Sequence, residues 1–230
     1  MQPRLLRLCT ATLAVIGFLA LAPRASADTI TLTFDGGGNG QNNGGPFNWT
    51  QTTPPNTAVT TYCIDTQDYV RSGTFTVDTN IALAPTIAHS TTPNVVSKIN
   101  TLFDHFYSSS FQNATTEAAF QQALWNLLYG GPVDTSTTAG KEAQNLLNGK
   151  MYNGQAYNGV EHDLANASLV ALVDVSGDPL GSKNRNQDQI MVVPDGPKGV
   201  PAPPAAMLAG IGVLALIGRN RWTRRTATAA

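Results

Sequence analysis

The chain has 230 residues, of which 42% are hydrophobic and 13% charged, and its formal net charge is −1 at pH 7. The stretch 28–199 is far more acidic, because it carries all fifteen acids against seven lysines and arginines, which gives −8. Nucleic-acid binding depends on Lys and Arg contacts to phosphates, so this acidity and the lack of any basic stripe argue against a nucleic-acid partner. A stretch of this length suits one domain of about 100–200 residues.

The N-terminus, residues 1–27, has the pattern of a cleavable signal peptide. Two arginines precede an apolar run over 8–21, and an Ala-Ser-Ala cleavage site follows at 25–27. Cleavage there removes Cys9 and leaves Cys63 as the one cysteine of the mature chain. An odd cysteine in an exported protein indicates an intermolecular disulfide, a reactive thiol or a buried, inert thiol.

The mature stretch predicts strands, then helices, then strands. Apolar and threonine side chains alternate over 28–34, which is typical of a half-buried strand, and a loop rich in glycine and asparagine follows at 35–48. After Pro93 the apolar spacing becomes three and four, which predicts a helix. This order predicts an α+β fold, a mainly antiparallel β framework (barrel or sandwich) with an inserted helical block. The other predicted elements are strands at 58–70 and 72–83, helices at 115–129 and 137–148, and strands at 167–175 and 188–194.

Gln121 lies at the border of the apolar face of the predicted helix over 115–129. At 100° per residue it falls between Leu128 and Trp125, whereas Gln122 falls on the wetter side. A buried amide must find hydrogen-bond partners or be chemically altered. The ordinary explanation for such a glutamine is a hydrogen bond to a backbone carbonyl.

Two motifs considered together suggest that the Gln121 amide is chemically altered. Tyr62-Cys63-Ile64-Asp65 in a strand, followed by Gln121-Gln122-Ala123-Leu124-Trp125 on a helix, resembles the thioester (TQxA-type) domains of bacterial surface adhesins. The resemblance implies that the Cys63 sulfur attacks the side-chain carbonyl of Gln121, ammonia leaves, and an internal thioester results. The family has a threonine before this glutamine, where the present chain has Phe120.

The same resemblance implies what the bond does. A thioester is an activated acyl group that an amine on a target protein or polysaccharide captures as an amide, once and without turnover, so the chain is predicted to be a covalent binder, not an enzyme, and to need no cofactor. Tyr62, Asp65 and Trp125 are its predicted supporting residues, because exclusion of water slows hydrolysis.

The C-terminus, residues 200–230, resembles the PEP-CTERM sorting signal of Gram-negative bacteria. A proline-rich motif precedes the apolar stretch 205–217, which is shorter than the roughly 20 residues of a comfortable membrane span. The resemblance implies an exosortase-type processing partner, transient or permanent anchoring in the inner membrane, and delivery to the cell surface or extracellular matrix. An ordinary short membrane anchor is the alternative, and Ala202 replaces the glutamate of the motif. The sorting residues are Val200, Pro201, Ala202, Pro203, Arg219, Arg221, Arg224 and Arg225.

Two other functional classes stay open. A cysteine hydrolase would pair Cys63 with a histidine, and thioester formation would instead survive replacement of every histidine. A non-covalent matrix or surface protein would keep its binding after Cys63→Ala. Asp65 and Asp68 fall short of a calcium-binding loop, so no metal is predicted. The histidines of the chain are His89, His105 and His162.

Overall fold

A computed structural model describes residues 28–37, 44–52 and 56–195. Within these ranges, six antiparallel strands close into one barrel. The strands are β1 (Thr29–Gly37), β2 (Phe47–Gln51), β3 (Ala58–Cys63), β4 (Gly73–Asp78), β5 (Ala167–Asp174) and β6 (Gln189–Pro194). Around the barrel the order is β1-β2-β3-β6-β5-β4, and β4 pairs with β1 to close it. The predicted α+β class with a mainly antiparallel framework is confirmed, and the framework is a barrel.

Alternation of side chains along the strands fills one half of the core. Leu32 of β1 is fully buried, while the threonines beside it are not, as the two-residue period of a strand requires. Leu32 packs with Trp49, Phe75 and Leu172, which come from three other strands. Each such side chain contributes about 1.5–3 kcal/mol when fully buried, so this cluster stabilises the closed barrel.

The helical block lies between β4 and β5. A short 3-10 turn at Ile81–Leu83 precedes four helices of the described part. They are α1 (Pro85–Ala88), α2 (Val95–Ser110), α3 (Ala114–Tyr129) and α4 (Thr138–Leu147). The apolar residues of α2 recur at spacings of three and four, as predicted, and all but Val96 and Tyr107 are buried. They pack in one core with α3 and with Tyr62, Ile64 and Ile190 of the β3–β6 region.

Both ends of α3 are fixed by local sequence. The side chain of Asn113 accepts from the N–H groups of Thr115 and Thr116, and the Thr116 hydroxyl accepts from the N–H of Asn113. Such a reciprocal cap satisfies donors that a helix N-terminus leaves unpaired. At the other end Gly130 has a φ of +70°, which glycine adopts without strain. The predicted bounds of 115–129 are therefore correct to one residue.

Several predicted bounds were wrong. β2 begins at Phe47, inside the predicted loop at 35–48, and β1 extends into that loop as far as Gly37. The strand predicted over 58–70 ends at Cys63, and the one predicted over 72–83 ends at Asp78. These errors share a cause, because pairing with neighbouring strands, and not local composition, determines where a strand ends.

The signal peptide predicted at 1–27 and the sorting segment predicted at 200–230 lie outside the described residues. None of the helices in the described ranges is long and apolar enough to cross a membrane.

Candidate functional site

Cys63 is the last residue of β3 and is completely buried. It lies opposite Gln189, the first residue of β6. The next residue, Ile64, donates its N–H to the Asp188 carbonyl at 3.0 Å. Hydrogen-bonded and non-hydrogen-bonded pairs alternate in an antiparallel ladder, so the N–H and C=O of Cys63 point away from β6. They need partners from another part of the molecule.

Gln121 of α3 supplies both partners. Its Oε1 accepts from the Cys63 N–H at 2.9 Å, and its Nε2 donates to the Cys63 carbonyl at 2.7 Å. The pairing of β2 with β3 has already ended at Phe47 and Thr61, so the glutamine amide takes the place of a strand. Gln121 is fully buried, as its position on the helix predicted. The structure thus brings Gln121 to Cys63 through the backbone, and the Cys63–Gln121 thioester stays a prediction.

Gly44 covers this amide from the side of β2. A Cβ atom at Gly44 would lie 2.7 Å from Cγ of Gln121, and the φ of Gly44 is +74°. Both the close approach and the positive φ require glycine. The glycine-rich sequence before β2 therefore has a specific use, because it lets the backbone cover the clamp formed by Gln121.

The sulfur of Cys63 has its own environment. It donates to the Asp65 carbonyl oxygen at 2.5 Å and accepts from the Asp65 N–H at 3.2 Å. Burial raises the pKa of the Cys63 thiol well above its ordinary value, so the thiol is protonated at neutral pH. The indole N–H of Trp125 acts in the opposite direction and lowers the thiol pKa. That N–H has no partner of hydrogen-bond geometry among the described residues, which leaves it available near the sulfur.

A second glutamine lies beside the sulfur, in the segment that enters β6. Nε2 of Gln187 donates to the Asp65 carbonyl oxygen at 2.5 Å, the same oxygen that accepts from the Cys63 thiol. The side-chain amide of Gln187 and the sulfur are therefore neighbours across one oxygen atom. The sequence reasoning did not identify Gln187. The available signal was a pair of glutamines at 187 and 189, at the start of an otherwise apolar strand.

Gln189 has a different role, although it is the direct partner of Cys63 in the ladder. Its Oε1 accepts from the Thr61 hydroxyl at 2.9 Å, and that hydroxyl accepts from the indole of Trp49, also at 2.9 Å. Its Nε2 donates to the Gln187 backbone carbonyl at 3.2 Å. The amide is satisfied inside the barrel, so Gln189 is structural.

One buried arginine holds the segments on both sides of the sulfur. Arg185 contacts the carboxyl groups of Asp65, Asp68 and Asp188 at 2.8, 2.5 and 2.6 Å. Burial, together with the neighbouring Asp68, raises the pKa of Asp65 to about 6. The arginine joins the chain after β3 to the chain before β6, so it positions the Asp65 carbonyl oxygen and Gln187 together. Asp65 contacts the sulfur through its backbone and Arg185 through its carboxyl group, and its supporting role stays a prediction.

The two tyrosines near the site have unequal roles. The ring of Tyr62 lies 4.6 Å from that of Phe120, and its hydroxyl pairs with the Ser110 hydroxyl at 2.7 Å. Since side chains alternate along a strand, Tyr62 faces the helices and Cys63 faces the other way. Tyr129, which the sequence reasoning missed, donates to the Ile64 carbonyl at 2.9 Å. This hydrogen bond fixes the backbone just after Cys63.

The histidine partners that a hydrolase requires are not at this site. In the described part of the chain, no hydrogen bond joins Cys63 to a histidine. His89 contacts the Pro85 carbonyl at 2.6 Å, while His105 and His162 both lie beside Asp104. The geometry therefore gives the cysteine-hydrolase alternative no support.

No family model and no curated protein matches the sequence. Among solved structures, the fold is similar to the N-terminal thioester domain of a surface protein from Clostridium perfringens, with a TM-score of 0.43 and 10% identity. The similarity covers 72% of this chain and 100% of that chain.

Proposed function

We propose that this is an exported surface protein with an internal thioester between Cys63 and Gln187, through which it attaches once, covalently, to an amine-bearing target. The observation that carries the proposal is the shared contact of the Cys63 thiol and the Gln187 amide on the Asp65 carbonyl oxygen, at 2.5 Å each. The predicted signal peptide and sorting segment add the expectation that an exosortase-type enzyme delivers the domain to the cell surface or matrix.

The bond-forming step is an acyl exchange that needs no co-reactant. The sulfur attacks Cδ of Gln187, the carbon–nitrogen bond breaks, and the thiol proton leaves with the amide nitrogen as ammonia. A primary amide is a poor acyl donor, but fixed orientation removes much of the entropic barrier, and cysteine is intrinsically nucleophilic. The buried ion cluster around Arg185 provides the fixed orientation by joining the two segments.

The later step is capture by an amine. The amine attacks the acyl carbon, the carbon–sulfur bond breaks, and Gln187 is left as a substituted amide with Cys63 again a thiol. The N–H of Trp125, which has no hydrogen-bond partner among the described residues, supports this step because it favours the thiolate that leaves. Cys63 is fully buried and Gln187 is half-buried, which supports a long-lived thioester because little bulk water reaches the sulfur.

Gln189 lies opposite Cys63 in the ladder, and its amide is held by the Thr61 hydroxyl and the Gln187 carbonyl. Gln121 is the third glutamine beside Cys63, and the motif resemblance favours it. Its amide already makes two bonds to the Cys63 backbone at 2.9 and 2.7 Å. To react with the sulfur it would have to break both and leave a buried N–H and C=O unpaired, at about 1–3 kcal/mol each. For that reason the proposal assigns the acyl group to Gln187 and a positioning role to Gln121.

The test is intact mass spectrometry of the purified full chain and of its Cys63→Ala variant, with and without methylamine. The parent is expected to be lighter than its sequence by one ammonia and to gain one methylamine, and the variant to do neither. A parent with its full sequence mass and an alkylatable Cys63 would contradict the thioester. The protein would then be a non-covalent surface or matrix component.

A further inference from the structure

A second cluster of reactive side chains lies on α2, in the part of the molecule that the thioester does not use. Asp104 and His105 are consecutive on α2, and His162 lies on the connection between α4 and β5. Oδ2 of Asp104 is 3.1 Å from Nδ1 of His162 and 3.7 Å from Nε2 of His105. One ligand atom from each residue lies within 4.8 Å of the other two.

We propose that Asp104, His105 and His162 bind one Zn²⁺ ion. Zinc binds imidazole nitrogen and carboxylate oxygen at about 2.0–2.2 Å in tetrahedral geometry, which puts neighbouring ligand atoms about 3.3 Å apart. The observed separations of 3.1 and 3.7 Å lie on either side of that value. Small side-chain shifts therefore suffice for an ion to enter between the three ligand atoms.

The ligands on α2 are already oriented by neighbours. Oδ1 of Asp104 accepts from the N–H of Leu164 at 3.1 Å, so the other carboxylate oxygen faces the histidines. The His105 ring stacks on Tyr157, with 4.1 Å between ring centres and 9° between planes. Partners of this kind fix ligand orientation and account for a large share of metal affinity.

The segment that carries His162 is also fixed on α2. The next residue, Asp163, donates its N–H to the Asp104 carbonyl at 2.8 Å, and its carboxylate accepts from the Ser108 N–H at 2.6 Å. These bonds hold His162 against the helix before any ion binds. Little conformational entropy is then lost on binding, which favours affinity.

The donor set selects the type of ion. Two imidazoles and one carboxylate suit zinc and similar late transition metals, whereas magnesium and calcium prefer oxygen ligands. Three protein ligands also leave one position open, as at zinc sites that bind water or an exogenous group. Asp104 and His105 line a cleft of about 920 Å³, so an oxygen-bearing group in that cleft would reach the ion. Amide and hydroxyl side chains line much of the cleft, among them Asn80, Asn94, Ser97, Asn100 and Thr101.

The test is isothermal titration calorimetry of the chelator-treated full chain with ZnCl₂, and with MgCl₂ as the comparison ion. The parent is expected to bind one Zn²⁺ and no Mg²⁺. His162→Ala and His105→Ala are each expected to weaken Zn²⁺ binding by more than about 10-fold, the loss that removal of even an outer-shell partner causes. The His162 side chain is 56% exposed, so its removal should leave the fold intact, which circular dichroism checks.

Two matched variants complete the design. His89→Ala removes the one histidine outside the cluster, and Cys63→Ala removes the thiol; both are expected to bind Zn²⁺ like the parent. Absence of saturable Zn²⁺ binding, equal binding by His162→Ala, or loss of binding in Cys63→Ala would each overturn the proposal. Asp104 and His162 would then be a hydrogen-bonded pair that fastens the segment to α2. The proposal does not rest on the thioester, which Cys63→Ala abolishes while leaving zinc binding unchanged.

Discussion

Cys63 has a glutamine on each side, and the two sides differ in which atoms meet. On the side of α3, Gln121 bonds to the backbone of Cys63, with both amide atoms used. On the side of β6, Gln187 bonds to the Asp65 carbonyl oxygen that also accepts from the sulfur. The difference shows that a glutamine can contact Cys63 without its amide facing the sulfur. The first side fixes the strand, and the second holds the two groups that we propose to react.

Removal of the Gln187 amide is the change that should affect thioester formation most. Gln187→Ala should abolish both the loss of ammonia and the gain of methylamine, because no acyl donor remains beside the sulfur. Intact mass spectrometry of the full chain measures both. Gln112→Ala, at an exposed glutamine, is the matched control and should behave like the parent. Persistence of the thioester in Gln187→Ala would show that another glutamine supplies the acyl group.

Replacement of Arg185, which joins the segments on both sides of the sulfur, should have the next largest effect, a loss in the free energy of unfolding. Arg185→Met leaves the buried carboxyl groups of Asp65, Asp68 and Asp188 without their counter-charge, and breaking a buried pair in this way costs about 3–5 kcal/mol. Urea unfolding at pH 7 measures the loss in the free energy of unfolding. Lys183→Met, at an exposed cation two residues away, should change it by less than about 0.5 kcal/mol. Similar losses in the two variants would contradict the role given to the cluster.

Removal of the Gln121 amide, which bonds to the Cys63 backbone, should lower the stability of the fold without abolishing the reaction with methylamine. Gln121→Ala leaves the N–H and C=O of Cys63 unpaired and buried, which costs about 1–3 kcal/mol for each group. Gln122→Ala, at the half-buried neighbour on the same helix, should cost less than about 1 kcal/mol. Urea unfolding measures both variants. Molecules of Gln121→Ala that remain folded should still gain methylamine, and a folded but unreactive variant would instead favour Gln121 as the acyl donor.

The smallest expected effect is a pH dependence from Asp65. Its pKa rises from an ordinary 3.8 to about 6 in the folded state, through burial and Asp68, so the folded protein binds this proton more tightly than the unfolded chain. The stabilisation is complete below about pH 4 and is lost as the pH rises through about 6, on the order of 1–3 kcal/mol. Asp65→Asn cannot titrate. The stability of the parent relative to Asp65→Asn should therefore fall between pH 4 and pH 7, and a rise would contradict the raised pKa.

Local periodicity predicted the helices and which of their faces are apolar. The apolar spacing after Pro93 predicted α2, which begins at Val95. The helical wheel put Gln121 at the border of the apolar face, and the structure buries it fully. Local periodicity failed for β2, whose five residues follow a glycine-rich segment and form a strand because β1 and β3 flank them.

Local periodicity could not predict the contacts at the two proposed sites, because these contacts join residues far apart in the chain. Gln187 meets the Asp65 carbonyl oxygen 122 residues away, through the register of β3 against β6. His162 meets Asp104 58 residues away, through the packing of a loop on α2. Neither the register nor the packing can be derived from spacing. The motif resemblance therefore assigned the acyl group to Gln121, whereas Gln187 is the amide that shares an acceptor oxygen with the sulfur.

Locating the methylamide tests the central claim most directly. The full chain is treated with methylamine, digested with trypsin and analysed by tandem mass spectrometry. Cleavage after Arg185 and Lys198 yields the peptide 186–198, which holds Gln187 and Gln189, whereas Gln121 falls in a separate peptide. The account predicts one methylamide, on Gln187. A methylamide on Gln121 or Gln189 would contradict the assignment of the acyl group, and its absence from every glutamine would contradict the thioester itself.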